Sequence, residues 1–306
     1  MKCAYCGEEA KGTREHIISS GILDLFPECD LTFDEYRKVI HNADPVVNDV
    51  CAKCNNSKIS YIDSYAKDFV AKYCLEEYDE NSKIQIEYNY SMIQKMLLKY
   101  AYNDLRSKKL DYSYYDEELI SYLTDNDNDI AKKYVTIMCG LAVNTSPMPN
   151  FFRGNKKLEW IKDPVFFDNS TIQYIDYQTG QIHLNENVKN ERFENLVFSY
   201  VFRFNSLQFL LLCWDKKTDN EKSKIVLKYQ YPYALLDESG EADLLVCTDE
   251  INYHHIEHIH VNWDLIKEVQ TMRRLSSPEQ FEIKEKLEKE FRKTEKMIAK
   301  ENPRNK

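Results

Sequence analysis

Along the chain the apolar positions fall into two rhythms. Ile59, Ile62, Ala66, Phe69, Val70 and Tyr73 recur at the three-, four- and seven-residue spacings of one helical face. Ser60 followed by Asp63 reads as a capping box for that helix, with a short turn carrying Asn55 and Asn56 before it. Ile84, Ile86, Tyr88 and Tyr90 then alternate as a strand, and residues 92–105 return to helical spacing behind Ser91 as N-cap. Two more helices are predicted over 116–123 and 129–143. Beyond them alternation takes over. Residues 171–184, TIQYIDYQTGQIHL, predict a β-hairpin about a Thr-Gly turn, and strands over 196–204 and 208–213 flank an Asn-Ser turn. Residues 224–231 predict one further strand. Ser277-Pro278-Glu279-Gln280 opens a last helix with a narrow stripe of Ile283, Leu287, Phe291 and Ile298 among alternating charges, the pattern of a solvated face.

These elements divide the chain. Residues 1–75 hold two closely spaced cysteine pairs around a loop-rich middle and end in helix. Residues 80–306 are rich in tyrosine, mix helices with strands, and contain no internal repeat. The 306 residues suffice for one large or two moderate domains whose cores need no disulfide staples.

The nine cysteines therefore need another explanation. Cys29, Cys74, Cys139, Cys213 and Cys247 stand singly, mostly among apolar neighbours, and predict buried thiols. The first residues, MKCAYCGEEAKGTREH, show no basic segment followed by an apolar one, so a reducing cytoplasm is the expected compartment, where paired cysteines point to metal. No membrane span is expected, because Arg203, Asn205 and Gln208 interrupt the most apolar run. A formal charge of -10 and a pI near 5.3 exclude binding to nucleic acid through the field of the whole protein. Binding of that kind needs a local site, and metal ions can carry positive charge into one.

Cys3-Ala-Tyr-Cys6 and Cys51-Ala-Lys-Cys54 are two C-x-x-C knuckles, each placing two sulfurs within reach of one tetrahedral zinc. Four thiolates leave no open coordination position, so the expected zinc is structural. The loop between the knuckles is longer than a compact zinc ribbon needs and contains Arg14-Glu15-His16-Ile17-Ile18, a carboxylate beside an imidazole at an apparent strand end. Asn48 precedes the second knuckle, and Asn55, Asn56 and Lys58 follow it. A separate run holds His254, His255, His258 and His260. On a strand three of these would share a face, yet with no acidic or cysteine partner at a defined spacing a solvated strand is the default reading.

Taken together, CAYC, EHII and NDVCAKCNNSK resemble the HNH endonucleases, the His-Me finger or ββα-metal family, over about the first quarter of the chain. The resemblance implies an α+β protein in which a zinc-stapled ββα-metal domain, residues 1–75, precedes a larger mixed α+β domain, residues 80–306. It implies a phosphodiesterase with His16 as general base, Glu15 and Asn55 as ligands of a catalytic Mg²⁺ or Mn²⁺, and Asn48 bonding backbone near His16; Asn42 is the alternative for that last role. Arg14 and Lys58 would touch phosphates, and Asn56 would cap the helix or meet an anion. The implied partner is nucleic acid, DNA in preference to RNA, with a restriction or phage-defence role. Residues 80–306 would then select substrate, regulate, or form an oligomer or partner interface. The competing expectation is a zinc module that recognises nucleic acid or protein without catalysis.

Overall fold

The computed structural model describes residues 1–27, 29, 32–34, 39–41, 44–79, 81–143, 157–163, 172–175, 182–184, 195–230 and 233–247. The His254–His260 run, the helix expected from Ser277 and the rival Asn42 lie outside them. The chain is a mixed α+β protein. Among the described residues no helix is long and apolar enough to cross a membrane.

Near the N-terminus, β1 (Gly12–His16) pairs antiparallel with β4 (Val46–Cys51), His16 facing Val46 and Gly12 facing Cys51, with an irregularity at Arg14. Gly12 has a steric reason to be glycine. A Cβ there would stand 2.1 Å from the Asn48 carbonyl oxygen. Between the two strands lie the short helix α1 (Ser20–Leu23) and a small hairpin of β2 (Thr32–Asp34) with β3 (Val39–His41). After β4 the chain makes a π-helical turn, Cys54–Lys58, and enters α2 (Ser60–Tyr73). The apolar face read from the sequence is the buried one, with Ile62, Ala66, Phe69 and Val70 inside. The capping box does not form. The Ser60 hydroxyl donates to the Asn56 carbonyl, and Asp63 is taken by a lysine of the next helix, Lys99.

That lysine belongs to α3 (Tyr90–Ser107), which follows β5 (Ile84–Glu87). Its N-cap is Asn89, whose side chain accepts from the Met92 N–H; Ser91, expected in that role, instead donates its hydroxyl to Asn89. Every residue from Ser91 to Arg106 is buried. A helix buried on all sides is normally apolar throughout, but α3 carries Gln94, Lys95, Lys99, Asn103, Asp104 and Arg106 inward. Each must find a partner, since an unpaired buried polar group costs ~1–3 kcal/mol. Gln94 donates to the carbonyls of Lys132 and Val135, Lys95 to the carbonyl of Asp125, and Asp104 accepts from Trp160 and Tyr200.

Beyond α4 (Glu117–Thr124), capped by Asp116, an antiparallel five-stranded sheet runs β12-β6-β11-β10-β7: Ala234–Leu235, Val135–Leu141, Leu207–Trp214, Leu196–Phe204 and Leu158–Lys162. The run that looked too polar for a bilayer is the central hairpin of this sheet, turning at Asn205-Ser206. Phe198, Tyr200, Phe202 and Phe204 share the main core with α3, while Val201, Leu210, Leu212 and Trp214 face a smaller cluster with Leu227 of α5 (Glu221–Gln230). Both faces are thus covered, which accounts for a nearly continuous apolar run. The sequence expectation of a hairpin within 171–184 matches β8 (Ile172–Ile175) pairing β9 (Ile182–Leu184). β13 (Glu241–Leu244) pairs β5.

Two further expectations are corrected. Residues 129–143 are a loop leading into the wholly buried β6, and residues 224–231 lie largely in α5, not in a strand. Of the single cysteines, Cys74, Cys139, Cys213 and Cys247 are buried and Cys29 is partly so. One core extends from Cys3 of the first knuckle to Leu244 of β13, so the zinc-knuckle segment and the central sheet share their interior through α3.

Candidate functional site

The two cysteine knuckles meet. Cys3, Cys6, Cys51 and Cys54 bring their Sγ atoms within 4.8 Å of one another, and Cys6 Sγ lies 3.8 Å from Cys51 Sγ. A tetrahedral zinc with Zn–S bonds of about 2.3 Å sets its sulfurs about 3.8 Å apart, so the cluster is compatible with a zinc site. Backbone N–H groups already face the sulfurs: Cys51 N–H donates to Cys3 Sγ at 3.3 Å and Cys54 N–H to Cys51 Sγ at 3.5 Å. Burial pushes the Cys3 thiol up, but N–H donors from Cys51, Cys6 and Tyr5 outweigh it and bring it down to about 6. Cys54 is shifted the other way by burial and by the neighbouring Cys51 and Cys6 sulfurs. No other group of three or more potential ligands of the His, Cys, Asp and Glu type comes together among the described residues.

The π-helical turn leaving the second knuckle delivers Asn55 to β1. Its Nδ2 donates to Thr13 Oγ1 and to the Arg14 carbonyl, both at 3.0 Å. Both amide hydrogens are thereby used, which leaves the amide oxygen as the acceptor end. The next residues on β1 are Glu15 and His16, and they diverge. His16 is partly exposed, with Nε2 3.4 Å from Asp44 Oδ2. Glu15 is only 3% exposed; its Oε1 lies 2.7 Å from Lys99 Nζ and accepts from Asn103 Nδ2 at 3.2 Å.

The remaining predicted residues lie on β1, on β4 and in the π-helical turn. Arg14 and Asn56 are exposed, and Lys58 is half-buried in the π-helical turn. Asn48 is exposed on β4, two residues past Val46, the partner of His16. The His16 backbone has a different side-chain partner: Asn103 Nδ2 donates to its carbonyl at 2.9 Å.

Asn103, Lys99, Arg106 and Tyr5 are thus residues that sequence reasoning did not single out. Lys99 Nζ lies 2.6 Å from both oxygens of Asp63 on α2. Arg106 pairs with Asp49 and lies over the rings of Tyr5 and Tyr102, 5.3 and 4.3 Å from their centroids. Tyr5 sits between the first two cysteines and donates its hydroxyl to Asn103 Oδ1 at 2.9 Å. The signal in the sequence was the polar spacing Lys95, Lys99, Asn103, one residue per helical turn, which a solvent-facing helix shows equally.

Compared with protein-family models, with curated proteins and with solved structures, the chain matches none of them.

Proposed function

We propose that the chain is a divalent-metal-dependent endonuclease of the HNH type, hydrolysing phosphodiester bonds in nucleic acid, DNA in preference to RNA. The observation that carries this reading is Asn55. Its amide ties the turn after the second knuckle to Thr13 and Arg14, the two residues that precede Glu15 and His16 on β1.

In this reading His16 is the general base. A neutral imidazole accepts a proton from water near neutral pH, and positioned bases of this kind contribute about 10²–10⁴-fold. With Nε2 turned to Asp44, Nδ1 is the nitrogen left to take the proton, and Asp44 stabilises the imidazolium that forms. The water oxygen bonds to phosphorus, the P–O3′ bond breaks, and the proton passes to His16. Arg14 and Lys58 hold phosphates on either side without reading sequence.

The donors suit a hard cation in chemistry: Asn55 presents an amide oxygen whose nitrogen is already engaged, and Glu15 a carboxylate. Glu15 would hold such an ion while its Oε1 remains bound to Lys99 and Asn103. A bound Mg²⁺ or Mn²⁺ supplies charge that offsets the phosphate and the departing oxygen. A role in restriction or phage defence belongs to the same reading and follows from the HNH resemblance alone.

One observation favours a second reading, a zinc module that binds without cutting: the buried Glu15–Lys99 pair gives the acid of the Glu-His step a structural task. Incubating wild type, Glu15→Ala and Asn55→Ala with single- and double-stranded DNA and with RNA, in Mg²⁺ or Mn²⁺, separates the two. Cleavage by wild type that falls in both variants supports the nuclease. Binding without cleavage by any of them supports the module.

A further inference from the structure

The His16 carbonyl is held by a residue of α3, far along the chain from the cysteine knuckles. Asn103 is fully buried and all of its hydrogen-bonding capacity is engaged. Its Oδ1 accepts from the Tyr5 hydroxyl and from Arg106 Nη2, and its Nδ2 donates to Glu15 Oε1 and to the His16 carbonyl. An amide has two donors and one double acceptor, so only one of its two orientations satisfies these four partners. Flipped, it would set its oxygen against the Glu15 carboxylate and its hydrogens against the guanidinium.

The two anchors of Asn103 are themselves fixed. Tyr5 lies inside the first knuckle, and its ring packs edge-on against Tyr102 at 5.4 Å. Arg106 is clamped by Asp49, just before the second knuckle. The amide therefore transmits the position of the cysteine cluster to the last residue of β1. Among the described residues the partly exposed His16 side chain has no comparable fixing, its ring facing Asp44 at 3.4 Å. Its ring position depends on its backbone, which β4 holds on one side through the Ile17 N–H to the Pro45 carbonyl and Asn103 holds through the His16 carbonyl.

We infer that Asn103 is a positioning residue for the His16 imidazole, with Tyr5 as the group that orients it. The inference rests on the nuclease reading above. A displacement of about 1 Å at a reacting group can cost about 10²-fold in rate. Asn103→Asp is the sharp probe, because it keeps size and the acceptors for Tyr5 and Arg106 while replacing both donations to β1 with an oxygen set against the Glu15 carboxylate and the His16 carbonyl. Tyr5→Phe is the mild one, deleting a single hydroxyl. Lys95→Met, on the same helix but bonded to the Asp125 carbonyl, controls for general loosening of α3.

The full-length variants are assayed on a short fluorescein-labelled DNA duplex with Mn²⁺, alongside zinc content per chain and melting temperature. The expected result is a kcat lower by about 10–100-fold in Asn103→Asp and about 3–10-fold in Tyr5→Phe, with KM within about twofold of wild type and zinc retained. Lys95→Met keeps wild-type kcat. A residue that acts only through His16 has nothing left to lose in its absence, so Asn103→Asp costs no further rate in a His16→Ala background. Equal losses in both backgrounds, a change in KM alone, or unchanged kcat in Asn103→Asp and Tyr5→Phe overturns the inference while leaving the nuclease standing. Should Asn103→Asp fail to retain zinc, the same cycle with Tyr5→Phe decides. Wild type that cleaves no faster than His16→Ala ends both the nuclease reading and this inference.

Discussion

Lys99 and Glu15 form an ion pair in which the ammonium is fully buried and the carboxylate nearly so, 2.7 Å apart. Asp63 completes it from α2, 2.6 Å from the same ammonium. Three segments remote in sequence are held by one charge. Removing one partner of such a group leaves uncompensated charge in the interior, at a cost of ~3–5 kcal/mol. Lys99→Met should therefore lower the urea midpoint sharply, while Lys72→Met, which breaks an exposed pair with Glu87, should leave it nearly unchanged. Similar midpoints for the two variants would show that the buried pair does not hold α3 to β1 and α2.

Loss of zinc should be felt beyond the knuckles. Structural zinc contributes on the order of 10 kcal/mol to the folding of small zinc domains, and here Cys3, Cys51 and Cys54 belong to the main core. Cys54→Ser should abolish stoichiometric zinc and lower the melting temperature of the whole chain. Cobalt substituted into the wild type should give the intense charge-transfer absorption of thiolate ligation. A wild-type protein purified without zinc, and indifferent to chelators, would remove the metal from the account.

The Asn205-Ser206 turn joins the sheet to α2. Asn205 adopts φ 49°, and both side chains donate to the Cys74 carbonyl at the end of α2, at 2.7 and 3.0 Å. Asn205→Gly keeps the backbone and loses one bond, whereas Asn205→Ala loses the bond and adds left-handed strain of roughly 1–2 kcal/mol. Thermal denaturation should rank wild type above Asn205→Gly and that above Asn205→Ala. An alanine variant at least as stable as the glycine one would contradict this.

Much of this architecture is legible in the chain. The cysteine spacing announces the cluster, the face of α2 and the span of α3 follow from helical periodicity, and the hairpin of β10 and β11 follows from its Asn-Ser turn. The failures have physical causes. Residues 224–231 alternate Ile225, Leu227 and Tyr229 as a strand would, yet the local cap decides otherwise: Asp219 accepts from the Glu221 N–H and the Asn220 carbonyl from the Lys224 N–H, starting α5. Residues 135–141 become a strand because they fill the gap between β11 and β12, and Gly140 marks it, since a Cβ there would meet Cys247 Cβ at 2.4 Å. The polar face of α3 was unreadable because burial is a tertiary property. Only the partners Asp63, Glu15 and Asp49, brought from elsewhere, distinguish its inward lysine, asparagine and arginine from a solvated stripe.

The central claim is that His16 performs phosphodiester hydrolysis beside a zinc-stapled turn. The most direct measurement is the rate at which wild type and zinc-replete His16→Ala nick supercoiled plasmid in Mn²⁺ or Mg²⁺. The account predicts nicking by wild type that stops when the added divalent ion is withheld, and a loss of about 10²–10⁴-fold in His16→Ala. Equal nicking by the two proteins, or none by either, would contradict it.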